Sequence, residues 1–298
     1  MRTAPRSEPS RRTRQRDAGP ALLFMLPAAL FMAFVFFYPI GSVVWTSFQD
    51  PFTEEFAGLA NYRALFNDSI FHAAVINNLK LFVVLPFLVV TSLLIAQVLH
   101  DQIRGWRIYR AIIFMPYVVP VVVAAMVFGQ ILQRYGLVNS MLEAVGLGGL
   151  AQNWLGDPKT AVWSLAGVVQ WRELAFGVIL FLARMTQLPV DLYDAARVDG
   201  ANWLQRLRHV TVPQMATMIA FYTGIIVVAL FNWVFNYVFV LTKGGPGTST
   251  YVMEYYIYSR AFIYGDFGNA AALSTLMLAA ILAFMVVFLT WLHRRGTL

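Results

Sequence analysis

Residues 188–213 read LPVDLYDAARVDGANWLQRLRHVTVP and lie between two long apolar runs, 161–183 and 213–241. The segment is polar without having the composition of a loop. Asp191 is placed to cap a first turn, with Asp194 three residues on, a spacing like that of a capping box. Ala195, Ala196 and Ala201 keep one side of that helix low, so that another surface can come close. Gly200 is placed to end or bend the helix, residues 203–209 give a basic second turn, and Pro213 opens the next apolar run. Two short helices over about 190–209, strung between apolar runs, form a surface suited to a partner's grip.

The rest of the chain explains why such a segment would be held near a membrane. Of 298 residues, 59% are hydrophobic and 12% charged. Soluble domains carry about twice that charge, and the mean hydropathy is +0.64. Crossing ~30 Å of hydrocarbon takes an apolar helix of ~20 residues. Six stretches reach that length, at about 21–48, 72–99, 109–132, 161–183, 213–241 and 269–291. The expected fold class is therefore an all-α polytopic membrane protein with six transmembrane helices. Residues 1–19 hold six Arg with Pro and Ser and show no periodicity, which suggests a disordered cytoplasmic tail ahead of a transmembrane domain over 20–298. The run at 21–48 is too long for the apolar part of a signal peptide and no small-x-small site closes it. It is expected to be a first span, kinked or broken near Pro27 and Pro39, and Pro86, Pro116 and Pro120 interrupt the second and third runs.

Orientation follows from Arg and Lys. With the N-terminus inside, the inner segments hold the tail arginines, Arg104, Arg107, Arg110, Arg184, Arg197, Arg206, Arg208, Arg294 and Arg295. The outer ones hold only Arg63, Arg134, Lys159, Lys243 and Arg260. Both termini and the 188–213 segment are expected to be cytoplasmic. The +7 charge is thus topological, and nucleic acid is not an expected partner. The outer stretches 137–145 and 251–263 are amphipathic and aromatic, and short helices at the outer interface are expected there.

Catalysis has little to work with. There is no Cys, and His72, His100, His209 and His293 are scattered, so no metal site is expected. No G-x-x-x-x-G-K-[ST] loop, GxSxG elbow or HExxH helix occurs, so the chain holds no nucleotide site of its own and no cofactor is expected on it. The unusual residues are polar ones at membrane depth. Gln170, Trp171, Arg172 and Glu173 fall within the fourth run, where charge faces a bundle interior or a wet cavity. As neighbours on a helix, Arg172 and Glu173 are expected to have separate partners. They serve either a structural ion pairing or a substrate path. In the fifth run Asn232 and Asn236 share one helical face with Trp233 and Tyr237 beside them. That set suits either interhelical hydrogen bonding or a pocket for a hydroxylated solute. Asn77, Asn78 and Lys80 are expected at the outer interface, with Lys80 snorkelling outward, and Gln97 and Gln130 are read as structural. An amphipathic helix lying on lipid is the alternative for 188–213, but Asp191, Asp194 and Asp199 suit a protein groove better than anionic headgroups.

Asp194-Ala195-Ala196-x-x-Asp199-Gly200-Ala201, followed by Leu207, Val210 and Pro213, resembles the EAA loop of ATP-binding-cassette importer permeases. Asp stands for the family's leading Glu and keeps its charge, and the spacing is intact. Residues 58–62 (GLANY), 115–120 (MPYVVP), 135–139 (YGLVN) and 241–247 (LTKGGPG) resemble the carbohydrate-uptake branch, of the maltose or glycerol-phosphate type, over about residues 20–295.

The resemblance implies a type I importer permease fold in a bacterial inner membrane. It implies as partners a second permease subunit, two ATPase subunits that use ATP and Mg, and an extracytoplasmic solute-binding protein or lipoprotein. Asp194, Ala195, Ala196, Asp199, Gly200 and Ala201 would be the ATPase-coupling residues. The implied function is to form half of the path for a sugar or oligosaccharide. Import of glycerol phosphate or a glycerophosphodiester is the second reading, and a stand-alone secondary transporter is the alternative of a different class.

Overall fold

The computed structural model describes residues 18–294. The expected disordered tail, residues 1–19, lies outside them except for its last two residues, which begin the first helix. Among the described residues the fold is helical, with one isolated bridge between Gln49 and Phe56. Among the described residues four helices are long and apolar enough to cross a membrane: α1 (Leu23–Thr46), α3 (Ser69–His100), α7 (Ala161–Met185) and α13 (Phe267–Arg294). Two bent pairs bring the number to as many as six if each pair is one span. These are α4 (Trp106–Val118) with α5 (Val121–Ile131), and α9 (Trp203–Gln214) with α10 (Ala216–Leu230). Shorter helices complete the chain: α2 (Ala60–Phe66), α6 (Leu137–Ala144), α8 (Val190–Val198), α11 (Val234–Leu241) and α12 (Met253–Tyr258).

α7 is the axis of the bundle. It has no proline, and its buried face carries Leu165, Val168, Val169, Val178, Phe181 and Met185. Against it pack Leu88, Ala96 and Leu99 of α3, Tyr222 and Ile226 of α10, and Tyr237 and Val238 of α11. Lipid tails are as apolar as these side chains, so close approach is what holds membrane helices together. Gly177 shows how close: a Cβ there would lie 2.4 Å from Ser92 Oγ and 2.6 Å from Tyr222 Oη. Here α3, α7 and α10 meet. The most apolar part of α1 is not buried against the rest of the chain, and its last turns, Tyr38–Thr46, meet α13.

Three apolar runs are less regular than their composition suggests. The third bends by 102° between α4 and α5. Val119 is extended there (ψ 127°), as a residue before proline must be, and Pro120 has no N–H to continue the helix. The fifth is interrupted by a turn at residues 231–233, between α10 and α11, and its entry from α9 bends by 72°. The first does not break at its prolines. Pro27 is carried inside the helix, and the one irregularity is a π-helical turn, Ala33–Phe37, just before Pro39.

The end of the bundle that holds Asn77 is tied by side chains, which corrects two expectations. Asn77 and Asn78 do not sit at an open interface. Both are buried; Asn77 Nδ2 donates to Thr248 O and Tyr251 O, both at 2.9 Å, and Asn78 Oδ1 accepts from Met253 N at 2.8 Å. Lys80 turns back to Asn77 Oδ1 at 3.1 Å instead of reaching outward. The aromatic stretch after residue 251 forms α12, with Met253, Glu254, Tyr255 and Tyr256 buried and Phe262 and Ile263 beyond it exposed. A short helix, α6, also forms over the 137–145 stretch. Arg260 bonds Asp68 Oδ2 at 2.7 Å and Asp266 Oδ2 at 3.2 Å, joining the starts of α3 and α13, and Tyr256 also donates to Asp68.

Glu254 is the exception in this clamp. Among the described residues its side chain takes a long bond, 3.4 Å, from Asn78 Nδ2, and its other oxygen finds no side-chain partner. Burial pushes its pKa from 4.5 up to about 7. A carboxyl whose pKa rises on folding binds its proton more tightly when folded, so its stabilising contribution is complete below about 4.5 and lost as pH rises through about 7. Thermal melts of the purified protein should therefore show stability falling across that window, and Glu254→Gln should flatten the fall. An unchanged pH profile in the variant would show that Glu254 is already charged in the folded state.

Candidate functional site: a docking segment and a mid-membrane charge pair

The 188–213 segment folds into α8 and α9, with the chain turning at Gly200 (φ +75°). Gly200 N donates to Arg197 O at 3.0 Å and Ala201 N to Ala196 O at 2.9 Å, the paired bonds of a Schellman ending. The expected cap at the start is absent. Pro189 occupies that position, and Asp191 lies inside the first turn, where its charge still suits the helix dipole. The true capping box is one helix later: Asn202 Oδ1 accepts from Gln205 N at 2.9 Å, and Asn202 N donates to Gln205 Oε1 at 2.7 Å.

One face of this pair points away from the protein. Asp194, Ala195, Asp199 and Gly200 are exposed, Ala196 and Ala201 half-buried. Val190, Leu192, Val198 and Leu204 add an apolar rim, with Val198 88% exposed. Asp194 Oδ1 meets only Arg197 Nη1, at 3.0 Å, on the exposed surface. The opposite face is bound to the bundle by a continuous relay of side chains. Tyr193, buried, lies 3.2 Å from Thr211 Oγ1, and Thr211 donates to Gln97 Oε1 at 2.8 Å. Gln97 Nε2 donates to Asp101 Oδ1 at 3.1 Å, and Asp101 Oδ2 accepts from Trp203 Nε1 at 2.9 Å. The His100 ring, 5.4 Å from that of Tyr193, packs against the same joint. Thus α8, α9 and the end of α3 are linked side chain to side chain.

At mid-depth of α7, about 17 Å from its start at 1.5 Å per residue, Arg172 and Glu173 are both buried. They bond each other, Arg172 Nη1 to Glu173 Oε1 at 2.7 Å, contrary to the expectation of separate partners. Their backbones face different ways, but the long Arg side chain folds back across its own helix. It does so because the α4–α5 break offers it the Val119 carbonyl, 3.4 Å from Nε. The guanidinium also lies 4.9 Å from the Tyr117 ring and 5.5 Å from that of Trp233. Trp233 and Tyr237 flank Glu173 around a narrow void, so Arg172, Glu173, Trp233 and Tyr237 form one cluster.

The other sequence candidates lie elsewhere. Gln170 faces α3, donating to Thr91 Oγ1 at 2.9 Å beside a cavity of about 340 Å³. Trp171 packs edge-on against Phe128, ring centroids 4.9 Å apart. Asn232 and Asn236 do not share one helix. Asn232 lies in the break, bonding Val228 O at 3.2 Å, and Asn236 opens α11. Tyr117, which completes the charge cluster, was flagged in the sequence only by the prolines on either side of it.

Residues 20–296 match the family described as binding-protein-dependent transport system inner membrane component. The chain belongs to this family. Among relatives of this inner membrane component, the probable ABC transporter permease protein YurN of Bacillus subtilis is 36% identical over 271 residues, covering 88% of this chain and 91% of the relative. The arabinooligosaccharides transport system permease protein AraP of Bacillus subtilis is 31% identical over 90% of this chain and 86% of its own length. The fold is shared with a solved bacterial ABC transporter involved in import of the acidic polysaccharide alginate, at TM-score 0.81 and 22% identity, covering 96% of this chain and 99% of that one.

In an inner membrane component a buried pair costs a great deal when halved. Removing one partner from such a pair destabilises by about 3–5 kcal/mol, whereas replacing both is often near neutral. Glu173→Gln should therefore lower the yield of folded protein in detergent-solubility assays, and adding Arg172→Gln should recover most of it. No recovery in the double variant would mean that the two charges act separately.

Proposed function

We propose that the chain is one permease subunit of an ATP-driven importer for a sugar or oligosaccharide. In this reading it crosses a bacterial inner membrane six times with both termini cytoplasmic, and forms half of the translocation path beside a second permease. Two ATPase subunits use ATP and Mg, and an extracytoplasmic solute-binding protein or lipoprotein delivers the cargo. The observation that carries the reading is the exposed Ala-Gly face of α8, backed by the relay from Tyr193 to Trp203. A segment open on one side and locked to α3 on the other is what a drive subunit needs to grip. Closure of the ATPase pair would have to favour one permease conformation over the other, since equal affinity for both shifts nothing.

Within this function, Asp194, Ala195, Ala196, Asp199, Gly200 and Ala201 form the ATPase-facing patch. Arg172, Glu173, Trp233 and Tyr237, with Gln170, Trp171, Asn232 and Asn236, are the path candidates. A carbohydrate cargo is supported by AraP's named cargo and by aromatic rings at the charge cluster. A glycerol phosphate or phosphodiester would need a free cation, and Arg172 is already neutralised by Glu173.

Gly200→Asp forces a side chain into left-handed backbone and puts a new charge on the docking face. The variant should reach the membrane at normal level, lose its ATPase partner on purification and import no solute. Import by vesicles that lack any ATPase, driven by an ion gradient, would instead establish a secondary transporter.

A further inference from the structure

Between α10 and α13 lies an open cavity of about 790 Å³. Its walls are apolar, formed by side chains such as Phe221, Ile225, Val228 and Phe288. The polar side chains among its described lining are Arg184, Gln187 and Thr217. On α10 the walls run from Thr217 to Val228. At 1.5 Å per residue that is about 16 Å, half of the ~30 Å hydrocarbon core. The groove is therefore one leaflet deep.

The charge at its mouth is all of one sign. Arg184 is half-buried and forms no ion pair or side-chain hydrogen bond with any described residue. No Asp or Glu is among the described residues that line the cavity, and beyond Leu292 on α13 His293 and Arg294 are exposed. A partly buried cation without an anion is unfavourable, and the described residues supply none. Basic pockets between spans, with apolar grooves below them, suit acidic lipid headgroups.

We propose that this groove is a binding site for an anionic phospholipid, its phosphate on Arg184 and an acyl chain between α10 and α13. The site is independent of the transport reading. It lies at the root of the docking segment, since α8 begins at Val190, three residues after Gln187. A helix of another subunit is the competing occupant. It would fill the apolar walls but leave the guanidinium without a counter-charge.

The test uses the membrane complex, purified and reconstituted with phosphatidylglycerol or phosphatidylcholine, and mass spectrometry of the lipid retained per chain. The wild type should retain phosphatidylglycerol preferentially. Arg184→Gln should reduce that preference about fivefold, the change that about 1 kcal/mol per basic residue gives, and Arg184→Lys should keep it. Ala220→Trp, which fills the groove, should release both lipids. The chain has no Cys, so Ala220→Cys carries a single benzophenone label, which should cross-link to lipid. Equal retention of the two lipids by the wild type, an undiminished preference in Arg184→Gln, or cross-linking to a second polypeptide would overturn the proposal.

Discussion

In hydrocarbon, every backbone N–H and C=O must find a partner, and each irregular feature of this protein is shaped by that demand. At the α4–α5 bend the helix ladder stops, and the Val119 carbonyl is taken by Arg172 Nε. At the interruption of the fifth run, Asn232 Nδ2 takes the Val228 carbonyl. Between α11 and α12, loop carbonyls at Thr248 and Tyr251 are taken by Asn77. Polar side chains at depth thus serve the backbone first. The cluster of charge and aromatic rings arises where two broken runs pass the unbroken α7.

Much of this architecture can be read in the sequence. Run lengths place the helices to within a few residues, and Gly200 marks the turn between α8 and α9. What sequence spacing misses is tertiary. Adjacent residues do not face one another on an ideal helix, yet Arg172 reaches Glu173 because its side chain is long and Val119 draws it across. Asn77 and Asn78 look interfacial until the 248–254 chain folds over them, which no local pattern reveals. The capping box was legible and misassigned: Asn202 and Gln205 have its spacing as Asp191 and Asp194 do, but Pro189 already starts α8. Prolines 116 and 120 announce a break without giving its angle.

Two arginines near α7 illustrate two ways of carrying charge in a membrane. Arg172 is neutralised within the chain by a carboxylate and two rings, and so is a fixed part of the bundle. Arg184, near the end of the same helix, has no such company among the described residues. Internal neutralisation lets a charge sit at the bilayer centre, whereas a charge at the boundary can take its counter-ion from outside the polypeptide.

The turn at Val83, whose N–H bonds Lys80 O at 3.1 Å, falls between a first part of α3 fastened by Asn77 and Asn78 and a second part fastened by Gln97. The second part, Val84–His100, has 17 residues and at 1.5 Å each is about 25 Å long. Such a rod would work as a lever if the Val83 turn served as its pivot and the Gln97 end as its handle. A swing of about 5° at the pivot carries the handle sideways by roughly 2 Å, the size of shift by which helices change their packing.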